Sequence, residues 1–312
     1  MLVHFWGVRG SIPTPLSPKQ IQSKIMAVVQ RITADDIKSA EDRVRFIANL
    51  PDWIYGTTGG NTACVEIKAG DTEIVLDAGS GIRALGKSEK KPKDRHYHLF
   101  FSHFHWDHIQ GLPFFDDAYN PSAIIDIYSP YQNMKLYLEK QMTNPFLFPV
   151  PFSSFTKNIT FHKLKEDDTF TINDIQVNVC RMKHPGDSFS YSFEREGKKV
   201  VYATDVELEP EDFVITEDRR RVFQNADCLI IDSQYTVMDH IAKKNWGHSA
   251  FCYAVDYANF WGIKKMFIFH HEPTYSDAEL ESILKASRQY SIQVGHPELE
   301  IYLAKEDVEL EI

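Results

Sequence analysis

The chain has 312 residues, of which 43% are hydrophobic and 25% charged, and its formal net charge is −10. That length is enough to bury a large core in one sizeable domain or two small ones, and no apolar run reaches the roughly 18 to 20 residues that span a bilayer. The N-terminus MLVHFWGVRG lacks the charged-then-apolar order of a signal peptide, so a cytoplasmic protein with no membrane partner is expected, and the net negative charge disfavours nonspecific binding of long nucleic acids.

In chain order, Ser17-Pro18 reads as the cap and first position of a helix with Ile21, Ile25, Val28 and Ile32 on one face. Ser39 with Asp42 caps a second helix carrying Val44, Ile47 and Leu50, so residues 17–50 are expected to form a helical hairpin inserted into a β-rich chain. Ten strand candidates follow: ACVEIKA, TEIVLDAG, YHLFFSH, AIIDIYS, IQVNVCRMKH, FSYSFE, KVVYATD, CLIIDSQY, KMFIFHH and EIYLAKEDVELEI. Between the later ones, EDRRRVF reads as a solvated helix face, and Phe251, Ala254, Val255 and Ala258 form an apolar helix face that ends at Gly262. Ser276 to Glu279 is a capping-box pattern before Leu280, Ile283 and Leu284. Cys64, Cys180, Cys228 and Cys252 lie far apart without a CxxC pair, which predicts buried reduced thiols. Strands in two groups with helices between them predict a layered sandwich.

One segment, FFSHFHWDHIQGLPFF, concentrates ligand-type side chains. His103 and His105 are separated by one residue, so both rings can point to the same side of an extended backbone, and Asp107 and His108 follow where a helix should begin. Imidazole and carboxylate are the usual donors to zinc, manganese or iron. A pair of ions needs more donors than one segment supplies, and these are sought at strand ends. His184 ends VNVCRMKH, Asp205 ends KVVYATD, and His270 and His271 end KKMFIFHH.

Taken together, these residues resemble a family. SHFHWDH matches the HxHxDH signature of the metallo-β-lactamase fold, with Ser102 where many members carry threonine. GVRGSIPTP, GGNTACVEI, LDAGSGI, DHIQGLPFF, IIDSQY, WGHSA and FHHEP look like the ribonuclease Z-like branch, which includes cyclic-nucleotide phosphodiesterases. The resemblance runs nearly the whole chain and implies one domain over residues 1–312: an α/β, four-layer αββα sandwich with mixed sheets and a helical insertion at about 17–50. It also implies two divalent ions, zinc or manganese with iron admitted. His103, His105 and His184 would hold one, Asp107, His108 and His270 the other, with Asp205 bridging. His271 stays open as an alternative to His270. The insertion would cover the site, form a homodimer contact or decorate the surface.

The implied chemistry is attack on phosphorus by a metal-bridging hydroxide, since coordination lowers the pKa of water from near 15.7 to about 7. Asp107 would orient that hydroxide. His248 of WGHSA would be proton donor or oxyanion stabiliser, with a helix-capping role as the other reading. Asp77 is expected to orient a ligand histidine rather than bind metal. Asn61 and Thr62 are expected at the rim, supporting ligands or substrate, with turn chemistry as an equal alternative. Of the aromatic residues Trp106, Phe114, Phe115 and Tyr119, some belong to the core and one or two at the mouth would stack on a base. The leading expectation is a phosphodiesterase acting on a small phosphodiester such as a cyclic nucleotide. The alternatives are a ribonuclease Z-like endonuclease, a hydrolase of thioesters or lactams, and a metal-bound sensor without turnover.

Overall fold

Short runs rich in β-branched and aromatic residues become fourteen strands in the computed structural model, which describes residues 1–312. The first sheet takes β1 (Leu2–Gly7), β2 (Cys64–Ala69), β3 (Thr72–Leu76), β4 (His96–Phe100), β5 (Ile124–Ser129) and β6 (Ile159–Lys163). The second takes β7 (Thr169–Ile172), β8 (Ile175–Met182), β9 (Ser188–Arg195), β10 (Lys198–Ala203), β11 (Cys228–Asp232), β12 (Lys265–Phe269) and β13 (Glu300–Leu303). The last strand, β14 (Glu309–Glu311), crosses back and pairs antiparallel with β1. Each sheet is antiparallel at one end and parallel at the other, the parallel strands being β3 to β6 in one and β10 to β13 in the other.

The helices are α1 (Pro18–Val29), α2 (Ala40–Ala48), α3 (Asp52–Tyr55), α4 (Ile82–Lys87), α5 (Trp106–Ile109) and α6 (Met134–Gln141), then α7 (Glu217–Phe223), α8 (Val237–Ala242), α9 (Phe251–Phe260) and α10 (Asp277–Gln293). Three apolar layers hold these elements together. Phe5, Val65, Ile74 and Phe100 of the first sheet interlock with Val177, Tyr191, Tyr202 and Phe269 of the second. The outer face of the first sheet packs Ile82, Leu85, Leu112 and Leu138 against Val75 and Leu99, while Ala254, Val255, Ile283 and Leu284 cover Leu229 and Met266 of the second. The result is the expected αββα sandwich, with the non-polar face of each sheet removed from water on both sides. All four cysteines are buried and free, and Ser276 and Glu279 form the capping box of α10.

Three strands went unread in the sequence. Trp6 and His4 stack in β1 where a clean alternation would carry apolar residues. The strands β6 and β7, ITFHK and TFTI, are short, half-exposed edge strands without a strong apolar signal. The run EIYLAKEDVELEI is not one strand but two, divided between the sheets at Asp307, whose φ of 62° turns the chain. Residues 17–50 are helical, but α1 and α2 do not form a packed hairpin: α1 lies on α3, and α2 lies on the turn at Asp35–Ile37. Neither helix buries a residue, and Ile21, Ile25, Val44 and Ile47 are exposed. What fastens α1 is polar, with Lys24 Nζ 2.7 Å from Asp277 and donating to the carbonyls of Trp53 and Gly56.

The parallel strands determine where chemistry can sit. Asp77 follows β3, His103 and His105 follow β4, Asp205 follows β10, and His270 follows β12, while β8, which runs alongside, delivers His184 at the same edge. Carboxyl ends of parallel strands are where open α/β sheets collect functional loops.

Candidate metal centre

Strand ends present these side chains at a backbone cost. Asp77, Asp205 and His270 all have positive φ, 58°, 54° and 60°, a region that non-glycine residues seldom occupy. Three such residues at one edge of a sandwich concentrate strain where the ligand-type side chains converge.

The hydrogen bonds around the histidines settle their tautomers. The Gly247 carbonyl can only accept, so His184 Nδ1 donates to it at 2.9 Å and leaves the Nε2 lone pair free. Asp77 Oδ2 likewise takes the Nδ1 proton of His108 at 2.8 Å. Ser102 Oγ donates to Asp77 at 2.7 Å and therefore accepts from His103 Nδ1 at 3.1 Å. The Gln234 amide nitrogen donates to Glu272, which turns its oxygen toward His270 Nδ1 at 3.2 Å. Four Nε2 atoms thus face inward, each ring fixed by a partner on its far side.

The carboxylate of Asp205 stands between them. Its Oδ1 is 3.7 Å from His103 Nε2 and 3.8 Å from His184 Nε2, and His184 Nε2 is 3.0 Å from His105 Nδ1. Its Oδ2 is 3.0 Å from His108 Nε2 and 3.3 Å from His270 Nε2, and Asp107 Oδ2 is 3.1 Å from His270 Nε2. His103, His105 and His184 form one tight group of donors, and Asp107, His108 and His270 form another, with the donor atoms of each group within 4.8 Å of one another.

These residues fit divalent cations. His103 Nε2 is buried without any hydrogen-bond partner, and His108 Nε2 faces His270 Nε2 at 3.3 Å, a contact two bare nitrogens cannot satisfy by themselves. Every ion-pair partner of Asp77, Asp107, Asp205 and Asp232 is a histidine; no lysine or arginine approaches them. Burial opposes charge on His108, yet Asp205, Asp107 and Asp77 lift its pKa well above the ordinary value, so the cluster calls for positive charge that a proton or a metal ion can supply. Burial also holds His103 and His184 low, in the neutral state that ligation requires.

Beside the cluster, His248 Nδ1 is 2.7 Å from Asp232 Oδ2, and its ring stacks on His270 with centroids 5.0 Å apart. Burial works against its charge, but Asp232 raises its pKa to about 8. The nitrogen that the protein holds is Nδ1. It does not cap α9, whose N-cap is Ala250.

Other expected residues fall in different places. Asp77 touches no cluster centre but anchors Ser102, His108 and Tyr202 at once. His271 is turned away: its Nε2 bonds the Ala304 carbonyl at 2.8 Å. Thr62 is fully buried, accepting from Ser80 N–H and Gln110, and the half-buried Asn61 is held by Glu306 and Ser80, so hydrogen bonds within the loop engage both. Phe114 is exposed and packs edge-on against Phe148, and it does not line the cavity at His103 and His105.

That cavity, of about 410 Å³, opens at His103 and His105 and is lined by Trp106, Tyr131, Tyr137 and Lys140. Sequence reasoning missed Asp232, Gln234, Tyr131, Tyr137 and Lys140. The signal for Asp232 and Gln234 was their place in IIDSQY, which puts an acid at a strand end like Asp205; for Tyr131, Tyr137 and Lys140, which lie outside the quoted motifs, none was visible.

Comparison with known proteins agrees with this fold. A family model described as a beta-lactamase superfamily domain matches residues 72–271. A ribonuclease Z from Prochlorococcus marinus (strain MIT 9301) is 23% identical over 279 residues, covering 71% of this chain and 88% of that protein. Among solved structures, the metallo-beta-lactamase fold protein YhfI from Bacillus subtilis superposes with a TM-score of 0.66 at 16% identity, covering 100% of this chain and 98% of that one. The short form of human tRNase Z superposes with a TM-score of 0.62 at 18% identity, covering 100% and 99%. Both structures share the fold. No helix is long and apolar enough to cross a membrane.

Proposed function

Because this chain belongs to the beta-lactamase superfamily, we propose that it is a dinuclear metal-dependent hydrolase acting on a small phosphodiester, a cyclic nucleotide being the first substrate to test. The observation that carries the reading is the division of donors by Asp205, one carboxylate oxygen facing each group of histidines. His103, His105 and His184 would hold one ion, Asp107, His108 and His270 the second, and Asp205 would be shared. Zinc or manganese suits these donors, and iron is accepted by the same set. Two such ions, when bound, supply activated water at neutral pH and neutralise charge growing on phosphoryl oxygens.

The rest of the work belongs to the chain. Asp107 Oδ2, fixed by the Ser11 N–H at 2.7 Å, offers an acceptor that orients the attacking water. His248 is held by Asp232 so that Nε2 carries the proton released to the leaving alkoxide. Trp106, 76% exposed at the cavity mouth, provides a face for a base, and Lys140 provides a cation for phosphate. The net charge of −10 favours a small substrate over a long polyanion.

Metal analysis and a hydrolysis panel test the reading: protein loaded with manganese or zinc should cleave bis-p-nitrophenyl phosphate and at least one cyclic nucleotide. Absence of both activities sinks it. A second reading, an RNA endonuclease, is favoured by the ribonuclease Z that matches 71% of the chain. Nanomolar RNA binding with a steep salt dependence would put it first.

A further inference from the structure

A second histidine cluster lies on the first sheet, away from the centre around Asp205. His96 and His98 share one face of β4, Asp126 stands opposite His98 on β5, and His162 stands on β6 opposite Tyr128. His96 Nε2 is 2.7 Å from Asp126 Oδ2, and His162 Nε2 is 2.7 Å from Asp126 Oδ1. His98 Nδ1 is 3.9 Å from the same carboxylate and 3.2 Å from the Tyr128 hydroxyl. Donor atoms of His96, His98 and Asp126 all lie within 4.8 Å of one another.

We propose that His96, His98, Asp126 and His162 form an auxiliary site for a borderline divalent cation such as zinc, clipping the edge strand β6 to β5 and β4. Three observations on geometry and charge support it. The donors come from three adjacent parallel strands, so one rigid sheet fixes their spacing. All ion-pair partners of Asp126 are imidazoles, with no lysine or arginine competing for it. Two imidazoles and one carboxylate make a compact three-donor set of the kind zinc accepts, and His162 stands beside it on the other oxygen of Asp126. The side chains of His96 and His162 are 30% and 39% exposed, which gives an ion a path in, whereas His98 is buried and closes the inner side. The ring of His162 is further set by stacking on Tyr128, with centroids 4.5 Å apart. Burial, together with neighbouring His96, keeps His98 neutral, as a ligand must be.

The site is separate from the hydrolytic centre: His96 opens β4, whereas His103 follows its other end, about 20 Å away along an extended chain. Its test does not depend on turnover. The full-length protein and its His96→Gln/His162→Gln variant are dialysed against micromolar zinc chloride and analysed for bound metal. One equivalent less zinc in the variant is expected, with unchanged hydrolysis by the main centre. Equal zinc content in the two proteins overturns the proposal, because Asp126 would then be a histidine clamp without an ion. Should the double variant not fold, the single exposed change His162→Gln decides: zinc released at about tenfold lower chelator concentration supports the site, and an unchanged release curve overturns it.

Discussion

The carboxylate of Asp232 holds His248 Nδ1 at 2.7 Å, and it does so from the last position of β11, directly beside the strand that delivers His270. The pair has the form of an oriented proton donor: a buried acid fixes the ring, and Nε2 is left for the substrate. His248→Ala is expected to keep bound metal and to lower turnover of a cyclic nucleotide by about 10² to 10⁴. Asp232→Asn should lower it in the same direction by a smaller factor. Both should be nearly silent with bis-p-nitrophenyl phosphate, whose leaving group needs no proton. Full activity of His248→Ala on the unactivated substrate would remove the histidine from the mechanism.

Asp205 faces both donor groups, so its loss should affect both at once. Asp205→Ala is expected to bind at most one ion and to show no measurable hydrolysis. In the unmodified protein, a chelator should abolish activity, and added manganese or zinc should restore it. Elemental analysis alongside the rate reads both effects; a variant that keeps two ions would contradict the sharing of this carboxylate.

Trp106 stands exposed at the mouth of the cavity, and base stacking on an aromatic ring contributes roughly 1 to 3 kcal/mol. Trp106→Ala should raise KM for a nucleotide substrate by about tenfold with little change in kcat. The same variant should treat bis-p-nitrophenyl phosphate much as before. A fall in kcat with unchanged KM would place Trp106 in the support of the metal-binding loop and not in substrate contact.

Gly247 has a φ of +90°, and a Cβ there would come within 2.2 Å of His184 Nδ1. Both the strain and the clash act on a histidine whose tautomer depends on the Gly247 carbonyl. Gly247→Ala should therefore release metal at a lower chelator concentration while the protein remains folded. Circular dichroism with a chelator titration distinguishes this from general unfolding.

Asp117 is a structural test with a pH signature. It is buried and accepts from Tyr97 Oη at 2.6 Å and Lys91 Nζ at 2.7 Å, with Arg95 beside it. Burial alone would raise its pKa, but Lys91, Tyr97 and Arg95 bring it below the usual range. A depressed folded pKa means that the carboxylate contributes stability above its unfolded value near 4, and that this is lost as pH falls through the folded value. Asp117→Asn should cost about 2 kcal/mol at pH 7. Urea unfolding at pH 7 and pH 3 should show the difference between the proteins shrinking at the lower pH; a constant difference would mean that packing, not charge, is lost.

Much of the centre was readable because its core is local. His103, His105, Asp107 and His108 sit within six residues at a strand end, where spacing alone brings donors to one side. The sandwich was readable from strand composition, and the capping of α10 from Ser276 and Glu279. What stayed hidden depends on which surfaces meet. A lone acid at a strand end looks the same whether it caps a turn or orients a histidine, so Asp232 acquired its role only when β11 was laid beside β12. His270 and His271 are chemically identical neighbours; a φ of 60° at His270 turns its ring to Asp205, while His271 is spent on the Ala304 carbonyl. The cluster at His96, His98, Asp126 and His162 spans 67 residues of sequence and becomes a site only through the parallel register of three strands. Sequence by itself determined the donor chemistry and the layered fold, since both follow from residue type and short-range period. Tertiary structure alone decided which of His270 and His271 turns toward Asp205 and which acid holds His248, because those are set by strand register and by backbone angles that residue type does not specify.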